Sequence, residues 1–131
     1  MFSELLSIRD LSKSLYYKIE ECQKAPELFD ENETAEILTE YYTQSKTLIE
    51  KLHPESEIRK QLLNECSILL NIFGFVKAYI NLNINKEIEI SYKGEVRKII
   101  PSSWKNEKLI YATCLKDNHI KCFNIYKMFI F

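Results

Sequence analysis

The spacing of apolar residues changes once along this chain, and that change restricts the fold more than any other feature. Up to about residue 80 the apolar residues recur three and four apart, and over residues 87–128 they recur two apart. The first spacing lines one side of an α-helix; the second lines one side of a strand. A chain that keeps the two in separate blocks reads as α+β, with the helices first and the strands last.

In the helical block, Leu5, Ile8, Leu11, Leu15 and Ile19 make a stripe over residues 3–23, with Ser3 as N-cap and a stop near Ala25-Pro26. Leu28 and Phe29 in the following loop are expected to pin onto the core. A second helix starts near Asp30 or Asn32 and ends at His53-Pro54, with Ile37, Leu38, Tyr41, Tyr42, Leu48, Ile49 and Leu52 on its broad apolar face. A third starts around Glu55-Ser56 and runs to about Ile80. Its last part, LLNIFGFVKAYINL, is apolar nearly all round, which predicts burial, and Gly74 within it marks a kink or a close approach.

In the strand block, Ile88, Ile90 and Tyr92 alternate with Glu87, Glu89 and Ser91, and Lys93-Gly94 supplies a turn. A second strand over residues 96–100 is expected to stop at Pro101, which has no N–H to give a ladder. Residues 109–115 and 120–126 follow as the third and fourth strands, joined by a two-residue turn at Asp117-Asn118. That turn sets Cys114 opposite Lys121 and Cys122 opposite Thr113. The apolar end, FNIYKMFIF, is too short to span a bilayer. It reads as a last strand tucked into the core, or as an edge that pairs with a second copy in a homodimer. The expected architecture is one unit: about three helices over residues 1–80, then a small antiparallel β-barrel or twisted sheet of four to five strands over residues 81–131.

Composition narrows the function. The chain has 131 residues, with two glycines and three prolines, which leaves little room for linkers. No apolar run approaches the roughly 20 residues of a membrane helix, and acids near the start do not suit a secretory signal. The expected location is the cytoplasm, with Cys22, Cys66, Cys114 and Cys122 as buried free thiols. No CxxC pair occurs and the histidines are His53 and His119 alone, so neither a metal nor a cofactor is expected. GxSxG, P-loop, GxGxxG and HExxH patterns are all missing, and His119 reads as an exposed turn residue. The chain is therefore expected not to be an enzyme.

The net charge of −1 conceals a division. Residues 1–80 hold nine Lys/Arg and fourteen Asp/Glu, whereas residues 81–131 hold nine and five. An acidic helical block and a basic strand block suit an anion-facing surface, and equally two halves that attract each other. In the basic block Arg97, Lys98, Lys121 and Lys127 interleave with Tyr92, Trp104, Tyr111 and Tyr126. Cations that neutralise phosphate and rings that stack on bases have this make-up. So do scattered surface lysines between core aromatics.

The order of segments in the strand block adds a resemblance. Ile90-Ser91-Tyr92 comes first, then a glycine turn, then Arg97 leading to Pro101, then Ile110-Tyr111-Ala112-Thr113-Cys114. Lys121-Cys122-Phe123-Asn124-Ile125-Tyr126-Lys127-Met128 closes it. Over residues 76–128 this resembles a WYL domain, and Val76-Lys77-Ala78-Tyr79-Ile80 is similar to the helix end that leads into that family's barrel. The family has an Sm-like or SH3-like barrel, found in bacterial transcriptional regulators and in proteins tied to phage defence. Three departures stand out. Trp104 follows Pro101 instead of lying in the third strand. Both closing arginines are lysines, which keep the charge and lose the planar fork. No helix-turn-helix is recognisable before the barrel.

The resemblance implies a non-enzymatic, ligand-sensing regulatory module. Its basic β face, made of Tyr92, Arg97, Lys121 and Lys127 with Trp104 nearby, would bind an anionic ligand, either a nucleotide or single-stranded nucleic acid. The alternative is a small protein–protein interaction protein, an immunity or inhibitor protein of a phage or mobile element. Such a protein would cover a basic site on its target with its acidic helical face.

Overall fold

The computed structural model describes residues 2–130, and their contacts divide the chain after His53. Before that point lie helix α1 (Phe2–Lys24), a 3-10 turn (Pro26–Leu28) and helix α2 (Glu31–Lys51). Ser7 Oγ donates to Gln44 Oε1 at 2.7 Å, and Lys18 Nζ donates to Glu33 Oε2 at 2.9 Å. One residue number rises as its partner's falls, so α1 and α2 run antiparallel. Ile8, Leu15, Leu38, Tyr41 and Leu48 are buried. Asp30 caps α2 by accepting from Glu33 N at 3.0 Å. Ser3 is not the N-cap expected of it, because α1 already begins at Phe2. Leu28 is not pinned on the core either: the tight 3-10 turn leaves it 68% exposed.

From Pro54 onward the elements are α3 (Glu57–Ile72), α4 (Phe75–Leu82), β1 (Ile88–Tyr92), β2 (Glu95–Trp104), β3 (Leu109–Cys114), β4 (His119–Asn124), a 3-10 turn (Ile125–Lys127) and β5 (Met128–Ile130). The contacts thus group α3 and α4 with the strands, well before the change in apolar spacing. There are four helices among the described residues, since Gly74 splits the expected third one. Its φ of 70° lies in the left-handed region that glycine enters without a Cβ clash, and α4 leaves at 78° to α3. The expected burial on all sides fails with the axis bent this far. Ile72, Phe75 and Leu82 remain 50%, 43% and 75% exposed. No single described helix is long and apolar enough to cross a membrane; α3 and α4 meet that measure only together, across the bend.

The strands form one antiparallel sheet in the order β4-β3-β2-β1-β5. It is a twisted sheet and not a closed barrel, because β5 pairs with β1 and no described pairing joins β5 to β4. The sheet nevertheless curls strongly. The ring of Tyr92 in β1 meets Phe123 of β4 edge-on at 5.1 Å, across the two intervening strands, and its hydroxyl accepts from Asn124 N at 3.3 Å. Phe131, the last residue of the apolar C-terminal stretch, lies outside the described residues.

Two expectations about the strands are corrected. β2 does not stop at Pro101 but runs on to Trp104, with a register shift between Pro101 and Ser103. Leu115 N donates to Lys98 O, so even-numbered residues of β2 bond toward β3 and Pro101 faces the β1 side. There β1 has already ended its pairing at Ile99, and Asn85 N takes the Pro101 carbonyl at 2.7 Å. Proline loses no ladder bond at that position. The β3–β4 connection is a four-residue turn, with Cys114 opposite His119 and Asn118 at φ 57°. The register is therefore two residues from the expected one, a slip that leaves every side chain on its face. Of the four thiols expected to be buried, Cys66 and Cys114 are, Cys22 is half-buried and Cys122 is exposed on the edge strand.

Polar side chains of α3 tie it to the end of the chain. Ser67 Oγ donates to Met128 O at 2.6 Å and Asn71 Nδ2 donates to Ile125 O at 2.9 Å. These bonds give the carbonyls side-chain donors from α3; Ile125 O also accepts from the backbone N–H of Met128.

Candidate functional site

Register decides where the expected ligand residues point. Directly opposed residues share a face, and the pairs Ile88–Ile99, Cys114–His119 and Ala112–Lys121 put Tyr92, Arg97 and Lys121 on one face of the sheet. The bulge after Pro101 adds one residue and returns Trp104 to that same face. It is the concave face, however, and the core lies on it: Ile90, Ile99, Ile110 and Phe123 are at most 1% exposed. Four of the five residues thus form a rim around a core and not an open basic surface.

Each of the four has a partner. Tyr92 is packed and hydrogen-bonded as described above. Arg97 Nη2 donates to Glu95 Oε2 at 3.1 Å, and its guanidinium lies 5.7 Å from the Tyr92 ring. Lys121 pairs with Asp117, and that hydrogen bond holds the Asp117 carboxyl below its ordinary pKa. Trp104 Nε1 donates to Asn81 Oδ1 of α4 at 2.8 Å, with Lys77 Nζ 5.9 Å from its ring.

The fifth, Lys127, lies in the 3-10 turn before β5 and lines a groove of about 330 Å³. One wall of the groove is α3, where Arg59, Leu63 and Ser67 follow at four-residue intervals on one side of the helix. Opposite stand Lys93 and Gly94 of the β1–β2 turn, with Tyr126 beside Lys127. Ser91 and Phe129, cross-strand partners on the face opposite Tyr92, also line it. The groove and the expected basic face are therefore on different sides of the sheet.

The charge of this groove is one-sided. Among the described residues Arg59, Lys60, Lys93 and Lys127 line it, and no Asp, Glu, His or Cys does. Lys60 reaches Glu57 at 3.7 Å and Glu55 at 4.0 Å, loose pairs between exposed side chains. Arg59 differs from the three lysines. It is only 8% exposed, and its Nη1 is buried without a hydrogen-bond partner among the described residues. Leaving a buried donor unmatched costs about 1–3 kcal/mol, and more when the group is charged. Local sequence explains its placement. Ser56 caps α3 by accepting from Arg59 N at 3.4 Å, which puts Arg59 in the first turn, at the positive end of the helix dipole.

Lys93 carries a second unfavourable feature. Its φ of 52° and the 83° of Gly94 make a hairpin turn of the kind that usually holds Asn, Asp or Gly first. Its ammonium sits 5.6 Å from the centre of the Tyr92 ring, a cation–π distance.

Arg59, Lys60 and Lys93 do not stand out when the basic strand block is read alone. A signal for Arg59 was nevertheless present, since Arg59, Leu62, Cys66 and Leu69 follow at intervals of three, four and three. A charge there interrupts the buried stripe of α3. Among the described residues no group of three His, Cys, Asp or Glu side chains is placed to hold a metal ion. Compared with protein-family models, curated proteins and solved structures, the chain matches none.

Proposed function

We propose that the unit from Pro54 onward is a non-enzymatic regulatory module. It binds an anionic ligand, a nucleotide or single-stranded nucleic acid, in the groove between α3 and the β1–β2 turn. The observation that carries this reading is Arg59. A guanidinium that is buried with an unmatched donor, beside three lysines and no lining carboxylate among the described residues, is stabilised when an anion enters. The WYL-like order of the strand segments supports a regulatory role. Lys127 is the residue that the resemblance and the groove have in common. Among the described residues no carboxylate, imidazole or thiol lines the groove to act as general base or nucleophile, which favours binding without chemistry.

Titration of labelled nucleotides and short single strands into the full chain, over a salt series, tests the reading. Binding is expected to weaken with salt as counterions are released. Arg59→Met is expected to weaken it at least tenfold, with the melting temperature of the free protein undiminished. Lys93→Asn, which suits the turn better, is expected to lose affinity while staying folded. Undiminished binding by Arg59→Met, or no binding of any anionic probe at low salt, overturns the reading.

A further inference from the structure

Resting on that reading, we infer that the groove recognises a terminal phosphate, a phosphomonoester next to one planar base, and not the internal phosphodiesters of a strand. Proteins that hold single strands without regard to sequence use a long track of cations, with several rings that stack successive bases over about 4–16 nucleotides. This site has neither. Its four cations come from α3, the β1–β2 turn and the turn before β5, and they surround one volume of about 330 Å³. That volume is near the lower end for small-molecule pockets.

Among the described residues two aromatic side chains line the groove, and they differ in kind. Tyr126 is 47% exposed and free to take the face of one base, whereas Phe129 is 1% exposed and already packed. One available ring matches one base.

Charge and depth point the same way. A phosphomonoester carries close to two negative charges near neutral pH and three acceptor oxygens. An internal diester carries one charge, and chain continues from both sides of it. Only a chain end can bring its phosphate to a side chain as buried as Arg59 without dragging a second sugar after it. Lys60, Lys93 and Lys127 line the groove from three different elements and add positive charge beside Arg59, the Lys93 ammonium from its place over the Tyr92 ring.

Calorimetric titration of the full chain with defined probes decides the matter. The probes are the four nucleoside 5′-monophosphates, the corresponding 3′,5′-cyclic nucleotides, unphosphorylated nucleosides, and a six-residue single strand with either a 5′-phosphate or a 5′-hydroxyl. At least one 5′-monophosphate is expected to bind ten times or more tighter than its cyclic diester and its nucleoside. The strand is expected to require its 5′-phosphate. A phosphorylated strand that matches the mononucleotide identifies a strand end as the source of the phosphate, and one that does not identifies the free nucleotide. Equal binding of the 5′-hydroxyl strand or the cyclic nucleotide, lost in Arg59→Met, overturns this inference and leaves the anion-binding groove standing. If no probe binds, both fall.

Discussion

Lys18 in the helical hairpin and Arg59 at the start of α3 are both cations held close to the protein surface, yet their surroundings are opposite. Lys18 bonds Glu33 at 2.9 Å and approaches Glu21 at 3.5 Å, and its pKa is raised above the ordinary lysine value, chiefly by the Glu33 bond. Arg59 is more deeply buried, shares its groove with three further cations, and has a donor with no acceptor. The lysine completes a local structure, whereas the arginine leaves one incomplete. A charge with its partners present accounts for stability, and a buried charge without them needs another explanation, which the anion proposed above would supply.

Mutations can break this contrast at several strengths. The largest effect is expected from Leu69→Ala. Leu69 lies on the same buried stripe of α3 as Arg59 and has 0% exposure. Its truncation is expected to lower unfolding free energy by about 2–5 kcal/mol in urea titration. Arg59→Met, on that very stripe, is expected to change stability in the other direction. Replacing an unmatched buried charge by an apolar chain of similar length should raise stability by about 1–3 kcal/mol in the ligand-free protein. A loss of stability would mean that Arg59 is structurally satisfied, and the contrast with Lys18 would disappear.

The smallest effect concerns Lys18 itself. A raised lysine pKa means that its pairing contributes fully below the unfolded-state value of about 10.4 and is lost as pH rises through the higher folded-state value. The urea midpoint of the natural protein is therefore expected to fall further between about pH 8 and about pH 11 than that of Lys18→Met. Equal falls would show that the Glu33 bond adds nothing to folding.

Much of the fold was legible because it rests on local chemistry. The stripe from Ile8 to Leu15, the Asp30 cap, the Lys93-Gly94 turn and the alternation of Ile88, Ile90 and Tyr92 each follow from residues a few positions apart. Gly74 was legible as an interruption, though its size of 78° was not. Pro101 misled for a definite reason: whether a proline ends a strand depends on which neighbour its nitrogen faces, and β1 had already ended there. The candidate site was read only in part. Tyr92, Arg97 and Lys121 share a face, which the resemblance implied, and Trp104 joins them only through the bulge after Pro101; the alternation rule does not say which face is concave.

What the amino-acid sequence determined by itself is the order of helices and strands, the Asp30 cap and the Lys93-Gly94 turn, and the separation of acidic from basic residues. These are set by backbone preference and periodicity within a few residues. The tertiary structure alone decided that β5 pairs with β1, that the sheet curls until Tyr92 meets Phe123, and that Arg59 shares a groove with Lys93 and Lys127. Those outcomes join residues tens of positions apart. They depend on which apolar faces find cover, and no local pattern records that.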